Sequence, residues 1–448
     1  MKIENTTIPG LLVIQLDVHG DERGWFKENW QRQKLVELGL PDFGPVQNNI
    51  SFNAQAGVTR GLHAEPWDKF ISVATGSVFG AWCDLRDNSE TFGKTFTTRI
   101  TPDTAVFVPR GVANGFQALE DGTAYTYLVN DHWSPDAQYY FVNLDMIDWP
   151  LEPTEISEKD LHHPQLEQAT PVPPKRILVT GANGQLGRSL PQYFPDADFC
   201  SRDKFDITNP PEFNWSDYSV IINAAAYTQV DEAEADRATC WAVNAFGPAK
   251  LANIARDNNI TLVHVSTDYV FDGSAKLHTE LEPLSPLGTY GASKAAGDIA
   301  VTQAPRHYLL RTSWVVGDGK NFVRTMRDLA RKGVKPEVVD DQFGRLAFSD
   351  EIARAINHLL KVEAPYGTYN ISNSGDIASW CDVAKEVYTL AGFDPDWVSP
   401  VSTEDYFRNT THAPRPVHSG FALTKLEATG FHPADWRVQL ASYLSRED

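Results

Sequence analysis

Tyr290 and Lys294 stand a helical turn apart in Tyr290-Gly291-Ala292-Ser293-Lys294. On a helix this spacing puts both side chains on one face, where an ammonium can lower the pKa of the phenol and also reach a ribose hydroxyl. A phenol tuned in that way can protonate the oxygen of a ketone while hydride arrives from a nicotinamide. Thr267, in Ser266-Thr267-Asp268-Tyr269-Val270-Phe271, is expected at the carboxyl end of a strand, within hydrogen-bonding reach of the same oxygen. A Tyr-x-x-x-Lys pair alone occurs by chance in many helices, so its weight comes from what precedes it.

What precedes it is Arg176-Ile177-Leu178-Val179-Thr180-Gly181-Ala182-Asn183-Gly184-Gln185-Leu186-Gly187, an apolar run that breaks into spaced glycines. A strand ending in Gly-x-x-Gly-x-x-Gly before a helix lets backbone amides approach a pyrophosphate. Strand and helix patterns then alternate: residues 219–226 as strand, 232–256 as helix, 261–271 as strand, and a helix from about Tyr290. This is the pattern of an α/β doubly wound parallel sheet of Rossmann type. Where the second strand should end in an acidic residue for the ribose 2'-hydroxyl, Cys200-Ser201-Arg202 stands instead. Arg202 could meet a 2'-phosphate, which favours NADPH and leaves NADH possible; a solvated surface charge is the other reading.

The N-terminal part reads differently. From Thr7 to about Leu144 many short strands are separated by turns, with one plausible helical turn at residues 35–38. Alternation is clear in Phe96, Thr98, Ile100 and in Thr123, Tyr125, Tyr127, Val129, which suggests an all-β sandwich or barrel around a pocket. Arg23, Phe26, Glu28, Gln47, Asn49, Arg60 and His63 lie in three clusters in this part. Guanidinium forks suit phosphates, a ring suits stacking, amides suit a base, and a strand histidine can carry protons. The alternative is surface ion pairs and a satisfied core histidine.

After Pro150 the chain becomes proline-rich and polar, and strand patterning stops. Residues 151–174 read as an extended, semi-rigid spacer between domains at 1–150 and 175–448, with a short helical turn within 156–166 that docks on a neighbour. A helical insert in one domain is the alternative.

With 448 residues, more than one core is expected. A formal net charge of -20 argues against a nucleic-acid or anionic-membrane partner, because either needs a basic footprint. The start lacks the apolar core of a signal peptide, and the cysteines, without Cys-x-x-Cys spacing, suit reduced thiols; a cytoplasmic location is expected. No metal is expected, since His63-Ala64-Glu65 lacks the second histidine of the usual cupin pair.

The wording of the first part is more specific than its pattern. Asp21-x-Arg23-Gly24-x-Phe26-x-Glu28, Val46-Gln47-x-Asn49, Arg60-Gly61-Leu62-His63, Asp84-Leu85-Arg86 and Pro109-Arg110-Gly111-Val112-Ala113-Asn114-Gly115-Phe116 resemble dTDP-4-dehydrorhamnose 3,5-epimerase over nearly all of residues 1–150. The resemblance implies a cupin-type jelly roll in which His63 removes protons beside a ketone, Asp145 orients it and Lys69 faces the developing enolate. It also implies a dTDP site formed by Arg23, Phe26, Glu28, Gln47, Asn49 and Arg60, and a homodimer through this half. Departures are Trp133 for the family's tyrosine acid, Asn114 for a histidine, Gly80 for an aspartate and Glu65 for a glutamine. They leave three outcomes: epimerisation with a substitute acid such as water or His132, inversion at one carbon, or a binding module without chemistry.

In the second part Asn223-Ala224-Ala225-Ala226-Tyr227-Thr228, Val243-Asn244-Ala245, Arg311-Thr312-Ser313-Trp314, Asp341-Gln342-Phe343-Gly344 and Arg415-Pro416 resemble dTDP-4-dehydrorhamnose reductase, an extended short-chain dehydrogenase. By that resemblance Thr267, Tyr290 and Lys294 are catalytic. Gly181, Asn183, Gly184, Gln185, Leu186, Gly187, Asp206, Ile207, Ala224, Ala225, Ala226, Tyr227 and Thr228 surround the cofactor, Trp314 touches the sugar, and a small substrate subdomain accompanies the sheet. Arg345-Leu346 replaces the family's Pro-Thr. Together the halves imply an enzyme that epimerises and then reduces a dTDP-4-keto-6-deoxy sugar nucleotide; the alternative is a reductase alone.

Overall fold

Side chains of Thr95–Ile100 alternate between exposed and more buried positions, and this strand closes the edge of an antiparallel sheet. A computed structural model of the protein describes residues 1–446 apart from 136 and 409. Its contacts form two units, Met1–Lys175 and Arg176–Asp448.

In the first unit a six-stranded sheet runs in the order Lys2–Asn5, Leu12–Gln15, Thr104–Val108, Lys69–Thr75, Thr123–Val129, Gln47–Asn53. A five-stranded sheet runs Tyr140–Phe141, Thr59–Ala64, Val112–Ala118, Val78–Asp84, Thr95–Ile100. Ile71, Val73 and Val106 of the first sheet pack with Trp82, Val112 and Phe116 of the second, so the core lies between the sheets of a jelly roll. The helical turn expected at 35–38 is the helix Arg32–Glu37, which buries Leu35.

Residues 151–174 do not form a free spacer. Glu155 bridges Val58, Val172 bridges Arg86, and the Arg110 guanidinium donates to the Pro173 carbonyl at 2.7 Å. Asp160, Ala169 and Val172 are buried. Prolines prevent a continuous ladder here, but isolated bridges need no N–H from them, so the segment straps the barrel as single contacts. The turn expected within 156–166 is the helix Glu158–Leu161, capped by the Ser157 side chain.

The second unit contains a six-stranded parallel sheet ordered Asp198–Cys200, Arg176–Thr180, Tyr218–Asn223, Thr261–Thr267, His307–Thr312, Gly367–Ile371. Consecutive residues point to opposite faces and both faces are covered. Val179, Ile222, Val263 and Leu310 pack with Ile352, Ile356 and Leu359 of the helix Ser349–Lys361, whereas Leu178, Ile221, Leu262 and Leu309 pack with Leu251, Ala252 and Ala255 of Gly247–Asp257. A separate core of Val323, Met326, Phe348, Val383, Val387, Trp436 and Leu440 builds the small subdomain.

The helix expected over 232–256 is broken into a 3-10 turn Glu232–Glu234, an α-helix Arg237–Trp241, a π segment Ala242–Phe246 and the α-helix Gly247–Asp257. Pro248 has no N–H to return to the Asn244 carbonyl, and that carbonyl instead crowds Gly297, where a Cβ would lie 2.2 Å from it. The strand expected over 261–271 ends at Thr267, whose side chain caps the 3-10 turn Asp268–Val270. The strand expected over 219–226 ends at Asn223. No described helix is long and apolar enough to cross a membrane.

Candidate active sites

The glycine loop leaves the carboxyl end of Arg176–Thr180 beside the end of Tyr218–Asn223, where the strand order reverses. Such a switch point opens a crevice. Gly181 has φ +75°, and a Cβ there would lie 2.6 Å from the Ala225 nitrogen; a Cβ on Gly187 would lie 2.3 Å from the Gly181 carbonyl. The loop therefore requires glycine at both points, and it leaves a backbone-lined cradle that fits a pyrophosphate. Asn183 and Gly184 are exposed at its rim, Leu186 is buried beneath it, and the Gln185 side chain accepts from the Gly317 N–H at 2.8 Å.

Around the crevice, Asp206 accepts from the Thr208 N–H and hydroxyl at 2.8 and 2.7 Å, and the well-exposed Arg202 stands 3.7 Å from it. Ile207 is buried against Gly247. The loop Ala224, Ala225, Ala226, Tyr227, Thr228 is clamped by Asn244, whose amide accepts from the Tyr227 N–H at 2.9 Å and donates to the Tyr227 carbonyl at 3.0 Å. Asn244, within the π segment, is a positioning residue to which sequence reasoning assigned no role.

Tyr290 and Lys294 lie on the helix Thr289–Val301, both buried, facing Thr267 and its strand. The Thr267 hydroxyl donates to Asp268 at 3.0 Å and accepts from the Tyr269 N–H at 3.2 Å. Burial holds the Tyr290 phenol well above its ordinary value, opposed by a hydrogen bond with Thr267. The expected lowering of this phenol by Lys294 is not seen in the free chain. The Lys294 ammonium donates to the Val265 carbonyl at 2.7 Å, stands 3.5 Å from His264 Nε2, and is itself pushed down to about 8 by burial. Four residues of separation place the two side chains on one face but do not decide which neighbour the long lysine chooses.

Trp314 adopts φ +44° and stacks on Trp380 at 3.7 Å, forming an aromatic wall. A non-glycine residue in that region is held only by its surroundings and marks a site worth attention. Arg345 donates to the carbonyls of Gly375 and Phe421 at 2.8 and 3.0 Å, so it braces the loop that the Pro-Thr change brings into question.

In the first unit, Arg60 and His63 of Thr59–Ala64 line a cavity of about 450 Å³ together with Tyr139, Phe141, Ser157 and Asp160. His63 Nε2 lies 2.8 Å from Asp160 Oδ1, and Asp160 Oδ2 accepts from the Gly61 N–H at 3.1 Å. Asp145, expected to orient His63, is instead exposed in the 3-10 turn Leu144–Met146, where its N–H meets the Asn143 side chain. The carboxylate comes from Asp160, in the stretch read as a spacer. Burial acts to raise Asp160, but the His63 contact and the Gly61 N–H outweigh it and hold the carboxyl below its ordinary value.

Lys69 pairs with Glu65 at 2.5 Å and lies over the Tyr127 ring, while the Trp67 indole donates to Glu65 at 2.6 Å. The change from glutamine to Glu65 thus gives the buried lysine a counter-charge. Trp133 is exposed, and its indole hydrogen-bonds the Tyr139 side chain, which burial pushes up to about 12. His132 is exposed. Gln47 donates to Asn49 at 2.9 Å and accepts from the Trp133 N–H. Arg23, Phe26 and Glu28 do not line the His63 cavity. The first two lie on the hairpin of Val18–Asp21 and Gly24–Lys27, where Arg23 pairs with Asp21; Glu28 follows it and pairs with Lys34.

Comparison with known proteins divides at the same place. The family described as RmlD substrate binding domain matches residues 175–448, and that described as dTDP-4-dehydrorhamnose 3,5-epimerase matches residues 5–168. A Streptococcus pyogenes protein described as an RmlC homolog is 51% identical over 182 residues, covering 38% of this chain and 91% of that one. A dTDP-4-dehydrorhamnose reductase of Aggregatibacter actinomycetemcomitans is 38% identical over 291 residues, covering 59% of this chain and 97% of that one. Among solved structures, a dTDP-4-dehydrorhamnose reductase of Bacillus anthracis in complex with NADP is 33% identical, with a TM-score of 0.55 over 61% of this chain and 99% of that one.

Proposed function

Because the chain belongs to the RmlD substrate-binding family over residues 175–448 and to the dTDP-4-dehydrorhamnose 3,5-epimerase family over residues 5–168, we propose that it carries out two consecutive steps toward dTDP-L-rhamnose. The first is 3,5-epimerisation of dTDP-4-dehydro-6-deoxy-D-glucose. The second is NADPH-dependent reduction of dTDP-4-dehydro-L-rhamnose at C4. The observation that carries this reading is that each unit assembles its own acid–base group with a hydrogen-bonded partner, the base His63 with Asp160 and the proton donor Tyr290 with Thr267.

In the epimerase half, Asp160 holds the proton on His63 Nε2, which leaves Nδ1 as the base for a carbon acid beside the ketone. Lys69 stabilises the oxyanion as it forms. Trp133 cannot supply a proton, and Tyr139, on the wall of the same cavity, takes that role. Arg60, Gln47, Asn49, Arg23, Phe26 and Glu28 serve the dTDP group. Phe26 on the hairpin and Ile50 and Phe52 on the edge strand Gln47–Asn53 are exposed, which supports a homodimer through this half.

In the reductase half, NADPH when bound supplies the hydride. Gly181, Gly184 and Gly187 give its pyrophosphate room, with Asn183, Gln185 and Leu186 shaping the loop. Arg202 meets the 2'-phosphate, and Asp206, Ile207 and the loop Ala224, Ala225, Ala226, Tyr227, Thr228 line the nucleoside. Tyr290 gives its proton to the C4 oxygen, Thr267 hydrogen-bonds that oxygen, Lys294 reaches the ribose, and Trp314 packs on the sugar. Joining the two steps on one chain raises the effective concentration of the keto sugar at its next site. The free, buried cysteines fit a cytoplasmic setting.

The exposed Trp133 favours a second reading, in which the first unit binds the nucleotide sugar without chemistry. Two full-length variants separate the readings. His63→Asn should abolish deuterium wash-in from solvent but keep reduction of supplied dTDP-4-dehydro-L-rhamnose, and Tyr290→Phe should do the reverse. Wash-in that survives His63→Asn removes His63 as the base, and its absence in the wild-type chain leaves the second reading.

A further inference from the structure

His163 lies beneath His63, stacked on Phe141 at 4.7 Å and with its ring 5.2 Å from that of His63. Only 6% of it is exposed, yet neither ring nitrogen has a hydrogen-bond partner among the described residues. Only longer contacts reach the ring, from Asp160 Oδ1 at 3.6 Å from Nε2 and from the Gly61 backbone, which makes a weak, loosely aligned hydrogen-bond contact. A buried imidazole with no hydrogen bond of ordinary length is a cost that folded chains seldom carry without a use. One ligand atom from each of His63, Asp160 and His163 lies within 4.8 Å of the others. The spacing His63-Ala64-Glu65 concealed this group, because the second histidine arrives from the strap.

We propose that His63, Asp160 and His163 form a site for a divalent transition-metal ion of the Zn²⁺ class, and that its occupancy switches off proton abstraction by His63. Two imidazoles and a carboxylate suit Zn²⁺, Co²⁺ or Ni²⁺ and disfavour Mg²⁺ and Ca²⁺, which prefer all-oxygen sets. Ligand bonds of about 2.0–2.2 Å put ligand atoms about 3.4 Å apart, so the 2.8 Å His63–Asp160 contact opens and the three groups re-orient around the ion. In the metal-free chain His63 Nε2–H faces Asp160 and Nδ1 holds the free lone pair. A metal bond at Nε2 moves that proton to Nδ1, so the imidazole stays neutral, gains one bond to the metal, and loses the lone pair that would take a proton from carbon. The sugar-nucleotide cleft itself stays open.

The switch rests on the reading of His63 as the base; the binding site does not. Zn²⁺ binding to the full-length chain is measured by calorimetry, and Co²⁺ binding by visible absorption, for wild type, His163→Gln and His163→Ala, with circular dichroism melts confirming the fold. Wild type should bind one ion more per chain than either variant, or bind it at least about tenfold more tightly, with a Co²⁺ spectrum of nitrogen ligation and no competition from Mg²⁺. Zn²⁺ should also suppress wild-type deuterium wash-in, reversibly by chelator, without affecting reduction. Equal Zn²⁺ stoichiometry and affinity in folded wild type and both variants overturns the site. Binding lost in the variants while wash-in stays insensitive to Zn²⁺ overturns the switch and keeps the site. A wild-type chain with no wash-in at all overturns the epimerase reading, and calorimetry still decides the site.

Discussion

Lys294 Nζ lies 3.5 Å from His264 Nε2, and the hydrogen bonds behind His264 decide what that nitrogen carries. The Ala225 N–H and the Thr180 hydroxyl both donate to Asn223 Oδ1, which turns the Asn223 amide nitrogen toward His264 Nδ1 at 2.9 Å. Nδ1 therefore accepts, and the proton sits on Nε2, pointing at the lysine. Burial, and then Lys294, keep His264 neutral.

With an N–H facing it and burial holding it at about 8, Lys294 loses its proton in the free chain as pH rises through about 8. Bound ribose hydroxyls and phosphates favour the ammonium, so NADPH binding at pH 8.5 should take up a fraction of a proton per chain. Calorimetry in buffers of different ionisation enthalpy reads this directly; Lys294→Met should show none. The same shift makes the fold gain stability as pH rises from about 8 toward 10.5, because the unfolded chain holds a proton that the folded one has released.

Asp268 is buried and raised to about 6 by burial, against hydrogen bonds from Ser419 and Thr267. Between 3.8 and about 6 the folded chain holds a proton that the unfolded chain releases, so this contribution is present below 3.8 and lost as pH rises through 6. Asp268→Asn keeps an acceptor for Thr267 and removes the charge. It should stabilise by about 3 kcal/mol at pH 8 and by little at pH 4 in urea unfolding. Equal effects at the two pH values would contradict this assignment.

The two candidate partners of His63 give opposite expectations. Asp160→Asn should lower deuterium wash-in by about 10²–10⁴, because the amide brings no charge to stabilise the imidazolium and, with its one oxygen accepting from the Gly61 N–H, turns its NH2 toward His63 Nε2 and imposes the wrong tautomer. Asp145→Asn, on an exposed turn, should leave the rate within twofold, roughly the scatter of surface changes. A large loss in the second variant would restore Asp145 as the partner of His63.

If Tyr139 is the acid, Tyr139→Phe separates exchange from inversion. His63 can still remove a proton, exchange it with solvent and return deuterium from the same face. Recovered substrate should therefore carry deuterium with unchanged configuration, while epimer formation falls by about 10² or more. Parallel loss of both would place Tyr139 elsewhere in the reaction.

The reductase half was legible because its signals are local. Gly181, Gly187, Thr267, Tyr290 and Lys294 lie in short motifs whose geometry follows from strand and helix periods. The site of the first unit was legible only in part. His63 and Asp160 are separated by 97 residues, and the strap that brings them together looks polar and proline-rich. Ser157-Glu158-Lys159-Asp160 was the available signal, since a serine followed three residues later by an acid marks a helix start. His264 and Asn223 were read as strand residues, because their hydrogen-bond roles emerge only when neighbouring strands align.

One measurement tests most directly whether this chain epimerises its substrate before reducing it. Wild-type chain is incubated with dTDP-4-dehydro-6-deoxy-D-glucose and NADPH in deuterated water, and the product is read by NMR and mass spectrometry. The predicted product is dTDP-L-rhamnose carrying deuterium at both C3 and C5. A reduced product without deuterium at those carbons would contradict the claim that this chain epimerises before it reduces.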